Sequence, residues 1–330
     1  MAGQLWSSAT EGGYMYSANL SRHLRVQVQP RTKFRQFADL LEDEVLGLHR
    51  GDTARWNVYS KIANQGGRLA ETDMMPESGF TIAQKSMQVF EAGNSVPFTG
   101  KLDALAEHKA EEIIDKTLRD DCRKFHDIEA WTQFNACKLR VVPTSGTSTT
   151  SVTLTTDGTV GSQNNVEFGT GHAKAIIDLM KERNIPPHYG DDYCAISHPS
   201  TYRTFKNSLE TVKQYTEVGL GHIFRGEIGR YEGMRFIEQN FIPKGGPNPS
   251  TTFNPETETG QTWPNGKSSW IFFFGADTVM EGPVIPEEIR AKLPGDYGRS
   301  KGIAWYYLGA YGLTHDDALN GRVIKWDSQP

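Results

Sequence analysis

Residues 219–239 read GLGHIFRGEIGRYEGMRFIEQ, and five glycines fall within the first fifteen positions: Gly219, Gly221, Gly226, Gly229 and Gly233. Such density suggests either a phosphate cradle or a backbone device. Gly221 and Gly226 have the spacing of the two glycines in a G-x-x-x-x-G-K-S/T loop. However, Glu227 stands where the lysine must be, and Ile228 where a hydroxyl must hold magnesium. A carboxylate there repels a triphosphate. A G-x-G-x-x-G fingerprint fails too, because His222, Ile223 and Phe224 follow Gly221. The glycines are therefore read as suppliers of positive φ and close approach in turns between short strands. Gly226, Gly229 and Gly233 are the expected turn glycines, and no cofactor is expected.

Other chemistry is equally unsupported. The nine histidines form no HExxH, no HxH and no Cys/His set with zinc spacing, so no metal site is expected. Ser197 and His198 adjoin on a strand and point to opposite faces, which rules them out as a nucleophile–base pair. The hydrolase elbow G-x-S-x-G is absent. Adjacent acids occur at Asp120–Asp121, Asp191–Asp192 and Asp316–Asp317. They read as solvated turn or helix-surface residues, the last pair at most a weak cation site. No catalytic residue emerges, and the chain is expected not to be an enzyme.

Composition fits that reading. The chain has 330 residues, 37% hydrophobic and 23% charged, with a net charge of −5. That is a globular composition without the basic excess of a dedicated nucleic-acid binder. The charge is uneven. No acidic residue falls between Gly12 and Ala38, whereas Arg22, Arg25, Arg31, Lys33 and Arg35 all do. This is either a solvated basic arm or one lying on acidic neighbours or phosphates. Three cysteines, Cys122, Cys137 and Cys194, make no framework and read as small core residues in a reducing compartment. No secretory signal is apparent, and no stretch is long and apolar enough to span a membrane.

The order of elements follows from pattern. LRVQVQP (24–30) alternates like a half-buried strand that needs a sheet from elsewhere. FADLLEDEVLGLH (37–49) predicts a short amphipathic helix. RWNVYSKI and TIAQKSMQVFEAG, with Trp56, Val58 and Ile62 on one face of the first, predict a long hairpin. Its faces are too polar for a core of its own, so it should lie on a partner. From Leu102 to Ala136 there is neither Pro nor Gly, and apolar residues recur at helical spacing. One long helix is expected there, or two in line. Further on come Ser/Thr-rich strand-like segments (144–165), a helix at about 167–184, and a strand–turn–helix at DYCAISHPSTYRTFK. Five Pro and four Gly in 243–269 predict a long surface loop. The last third, with SWIFFFGADTVM, IAWYYLGAYGL and RVIKW, reads as β-rich.

This order resembles the major capsid protein of tailed bacteriophages, with its HK-97-type fold. YCAISHPSTYRTFK followed by IFRGEIGRYEGMRFIEQNF is similar to the corresponding segment of the N-four-type phage coat-protein family. So is the closing GADTVMEG…GRSKGIAWYYLGAYGL…RVIKW. By residue the resemblance covers about 193–326; over 1–190 it rests on element order. It implies an α+β fold with an N-terminal arm (1–36) and a short helix and extended hairpin loop (37–100). A spine helix of the peripheral domain (101–139) follows, then an axial domain (140–300, with loop 243–269). The C-terminal strands (301–330) would return to the peripheral domain.

The resemblance also implies self-assembly as pentamers and hexamers into an icosahedral shell around double-stranded DNA, in a virion assembled in bacterial cytoplasm. Scaffolding, portal and cement or decoration proteins would be further partners, and no membrane is involved. The expected interface residues are Arg22, Arg25, Arg31, Lys33, Arg35, Trp56, Lys61 and Lys85. Covalent cross-linking, for which Lys61, Lys85 and Asn320 are available, also needs a positioned carboxylate and is not expected. An encapsulin-like compartment shell, a minor virion structural protein and a soluble enzyme are the alternatives.

Overall fold

The computed structural model describes residues 32–41, 51–59, 62, 66–72, 74–158, 166–213, 229–241 and 270–326. Expectations for 24–30, 42–50, 159–165 and 243–269 lie outside these residues.

Two sheets and one long helix build the molecule. The four-stranded sheet has the order β1 (Ala38–Leu40), β11 (Val279–Ala291), β12 (Ser300–Leu313), β4 (Phe90–Thr99). β12 is central, pairing antiparallel with β11 on one side and β4 on the other. That explains why IAWYYLGAYGL carries no charge. Its alternation places Trp305, Tyr307 and Tyr311, all buried, in one core with the long helix α2 (Ala110–Asn135). Ile114, Leu118, Cys122, Trp131 and Phe134 of α2 form the opposing surface of that core. With 26 residues, α2 is about 39 Å long.

The seven-stranded sheet runs β6 (Val152–Thr155), β5 (Leu139–Pro143), β13 (Val323–Trp326), β10 (Ile271–Phe274), β7 (Tyr193–Ser197), β9 (Met234–Glu238), β8 (Arg230–Tyr231). Its pairings are mixed, with β5–β13 and β7–β9 parallel. α3 (Thr170–Glu182) and α4 (Arg203–Lys213) supply Ile176, Met180 and Phe205 to the core on one face. The other face, with Cys194, Phe272 and Phe274, shares a core with α2. A two-stranded ribbon, β2 (Thr53–Tyr59) with β3 (Ile82–Gln88), stands apart from both sheets.

Several expectations need correction. Residues 38–40 form a strand rather than the start of a helix, because parallel pairing with Val279–Glu281 satisfies their backbone. Of the two forms expected for 102–136, the chain takes two helices: α1 (Gly100–Leu105) ends at an extended Ala106, and α2 begins at Ala110. Neither Gly nor Pro marks this break. Packing sets it, since Leu102 and Ala110 are both buried in the same core. The arm does not run free to residue 36, because Phe34 and Phe37 are core residues. A border at residue 300 does not coincide with a change of sheet. The chain passes from the seven-stranded to the four-stranded sheet between β10 and β11, and β13 returns to the seven-stranded sheet between β5 and β10.

Candidate functional site

Three of the residues expected at an interface, Arg35, Trp56 and Lys85, fall into two anchors that tie the segment at 32–37 and the hairpin to the body. At the first, Phe34 packs against Phe134 and Phe272, with ring centroids 5.5 and 5.6 Å away. The backbone N–H groups of Phe34 and Arg35 donate to Asp127 Oδ1 on α2, at 2.6 and 3.2 Å. The Arg35 guanidinium is gripped by two carboxylates of β11. It donates to Glu281 at 2.9 and 3.1 Å and to Glu287 at 2.9 Å through both oxygens. Burial works against the arginine's charge, but the bonds to Glu287 and Glu281 outweigh it and raise its pKa. The same bonds hold Glu287 below its ordinary value.

Around this clamp lies a buried polar layer. His126 Nδ1 is 2.8 Å from the Tyr311 hydroxyl. Burial lowers His126 to about 4. It raises Asp127 to about 6 despite the backbone donors from the arm. Tyr307 and Tyr311 are raised by burial and then by the charge of Glu281.

The second anchor holds the root of the hairpin. Ala54 and Met87 are buried against Ala310 of β12, with Trp56 packed beside them. A Cβ on Gly312 would lie 3.2 Å from the Trp56 ring, so the absent side chain makes room for the indole. Trp56 Nε1–H donates to the Thr314 carbonyl at 3.4 Å. Lys85 pairs with Asp316 and, at 2.9 Å, with Asp317. Hydrogen bonds to those two acids raise its pKa.

Of the expected interface residues, Lys33 is half-buried, while Arg35, Trp56 and Lys85 hold the chain to itself. Arg22, Arg25, Arg31 and Lys61 lie outside the described residues, as does Gly226. Gly229 and Gly233 have φ of +71° and +80°, and Gly233 closes the tight turn between β8 and β9.

Of the acid pairs, Asp191 is an exposed turn residue as expected, whereas others engage partners. Asp121 accepts from the Trp305 indole at 2.8 Å and from Asn94 at 2.9 Å. Asp192 is buried between Arg230 and Arg235 at 2.6 and 2.9 Å. Asp316 and Asp317 are the counter-charge of Lys85 and keep 46% and 36% of their side-chain surface in solvent. Glu281, Asp127 and His126 were missed. Their signal was present: Glu281 is a lone acid in the apolar run TVMEGPVI, and His126 follows Cys122 by one helical turn on the inner face. Ser197 Oγ donates to the Trp270 carbonyl at 2.6 Å, whereas His198 turns to Ser200, so they form no catalytic pair.

No protein-family model and no curated protein sequence matches the chain. Solved structures do. The capsid of cyanophage P-SCSP1u superposes with a TM-score of 0.68 at 11% identity, covering 96% of this chain and 94% of that one. The cyanophage Pam1 capsid gives 0.65 at 13%, with 98% of each chain covered. The capsid of Ralstonia phage GP4 gives 0.62 at 13%, covering 95% and 96%. Such low identity speaks to architecture alone, over nearly the whole length of each chain. The chain has the HK-97-type fold of tailed-phage capsid proteins.

Proposed function

We propose that the chain is the major shell subunit of a tailed phage, gathering as pentamers and hexamers that close into an icosahedral shell around double-stranded DNA. The exposed hairpin carries this reading. Beyond the anchored root, Met74, Met75 and Phe80 are 91%, 76% and 57% exposed, and Tyr59 and Ile82 are also exposed. A monomeric soluble protein rarely leaves such a group uncovered. Among the described residues no sheet or helix of the same chain lies over this part, and a neighbouring copy would cover it.

In this reading α2 with the four-stranded sheet is the peripheral domain, and the seven-stranded sheet with α3 and α4 is the axial domain. The arm carrying Arg22, Arg25 and Arg31 contacts neighbouring copies and, without sequence preference, packaged DNA. Scaffolding, portal and cement or decoration proteins are further partners, and assembly takes place in bacterial cytoplasm. The role is structural rather than enzymatic. The narrower likeness to the N-four-type coat proteins belongs to the same reading.

The test is negative-stain electron microscopy of the full chain, expressed alone and fractionated by sedimentation. Closed shells, rings of five or six, or sheets are expected. A protein that sediments as a monomer at every concentration reached, both alone and co-expressed with the scaffolding protein of its phage, would overturn the proposal.

A further inference from the structure

A cleft of about 650 Å³ opens at the hairpin root, between residues 56–59, the turn after α3, the β10–β11 turn and residues 314–322. Its walls combine Trp56, Pro186 and Leu319 with the guanidinium of Arg183. Arg183 Nη2 donates to the carbonyls of Ala318 and Leu319, and its Nε is buried without a hydrogen-bond partner. Burial lowers its pKa, and among the described residues no carboxylate offsets that. Asp277, also in the cleft, is already held by Arg322 at 2.8 Å and His315 at 3.4 Å. Arg183 is thus the cation of the cleft that no carboxylate answers among the described residues.

The far end of the molecule offers an acid beside a large apolar group. β11 and β12 form a ribbon that turns at residues 292–299. Asp296 and Tyr297 there have φ of +50° and +52°, although neither is glycine. Paired left-handed residues of this kind persist where surrounding structure or function requires them. The result is a fully exposed Tyr297 ring, close in sequence to Leu293, itself 88% exposed. Asp296 engages Arg299 at 3.5 Å, and both are largely exposed. Such a pair exchanges readily for another.

Distance decides which cleft the turn can fill. β11 begins beside the cleft at Val279 and runs thirteen residues before the turn. At the rise of a strand that is about 40 Å. A copy therefore cannot fill its own cleft.

We infer that the Asp296–Tyr297 turn of one copy inserts into the hairpin-root cleft of a second copy, where Asp296 meets Arg183 and Tyr297 lies among Trp56, Pro186 and Leu319. The inference rests on the shell reading and deepens it by naming two matching surfaces. An aromatic anchor in a pocket, with a charge pair beside it, is the usual centre of a binding interface. Because knob and hole sit at opposite ends of one ribbon, the contact is head-to-tail, and repetition closes rings where the rotation permits.

A cysteine trap tests this in the full chain. Cys122, Cys137 and Cys194 are all buried, so new surface thiols report alone. Tyr297→Cys and Leu319→Cys chains are prepared separately, mixed under assembly conditions and oxidised with diamide. Each thiol loses a proton and one electron to the diamide as the S–S bond forms. A 297–319 disulfide dimer is expected in the mixture and in neither chain alone. Dimers of Tyr297→Cys alone, without the mixed product, would mean that turns meet turns and would overturn the inference.

Charge exchange is the second arm. Asp296→Arg and Arg183→Glu should each cut the assembled fraction at least tenfold, and the double exchange should restore it. Melting curves first establish that each variant is folded. Failure of folded double variants to recover would overturn the pairing of Asp296 with Arg183. If wild-type particles form without the mixed disulfide, this docking falls and the shell reading stands. If the wild type forms no oligomer, both fall.

Discussion

Asp127 and His126 are neighbours on α2 that answer burial with opposite sign. Asp127, at about 6 when folded against an ordinary 3.8, favours the folded state most below pH 4, and that contribution is lost as pH rises through 6. His126, at about 4 against an ordinary 6.5, contributes fully above pH 6.5, and that is lost as pH falls through 4. Each displacement corresponds to roughly 3 kcal/mol. Between pH 4 and 6 the two largely cancel. Asp127→Asn keeps an acceptor for the arm's N–H groups and removes the titration. Its melting temperature should climb steadily from pH 4 to 6.5, where the wild type stays nearly level. A level profile for Asp127→Asn would show that His126 does not titrate as its burial requires. Arg35→Ala leaves Glu281, whose side chain is 4% exposed, without its cation. Removing one partner of a buried pair costs about 3–5 kcal/mol, and Glu281→Gln in the same chain should recover part of it in denaturant melts.

Elements show how far pattern alone reaches. Alternation in β12 and the 3.6-residue period of α2 were legible because each element meets a core on one face. The strand at 38–40 was not, since three residues carry no period and only pairing with β11 makes them a strand. The step from β10 to β11 depends on Gly275. A Cβ there would lie 2.0 Å from the Pro186 carbonyl oxygen, with Ile185 also in the way. Gly275→Ala should cost about 1–3 kcal/mol, as overpacking does, and a melting temperature equal to wild type would show that the crossover has room. The hairpin root predicts a local effect instead. Trp56→Ala should speed amide exchange in 53–59 and 82–88 at least tenfold and leave α2 unchanged, because a weakly anchored ribbon opens on its own. Equal acceleration in α2 would mean that the ribbon and body unfold as one unit.

At the scale of the whole molecule, the arm and the body meet at Lys33. Deleting residues 1–31 spares Phe34 and Phe37, so a subunit with unchanged melting temperature that no longer closes shells is expected. Wild-type particles from that truncation would sink the arm's role in assembly. Deleting through residue 37 removes two core phenylalanines. Each such loss costs about 3–5 kcal/mol, comparable with the whole stability of a domain, and soluble folded protein is not expected. The sequence by itself determined the strands and helices with a clear period and the failure of the nucleotide motifs, because these depend on residues close along the chain. Tertiary structure alone decided which sheet receives β11 and β13, where α1 parts from α2, and that Arg35, Lys85 and Asp192 face acids or bases distant along the chain. Pairing partners separated by as many as 252 residues leave no local period. They are selected when burial makes an unpaired charge more costly than the ordering that pairs it.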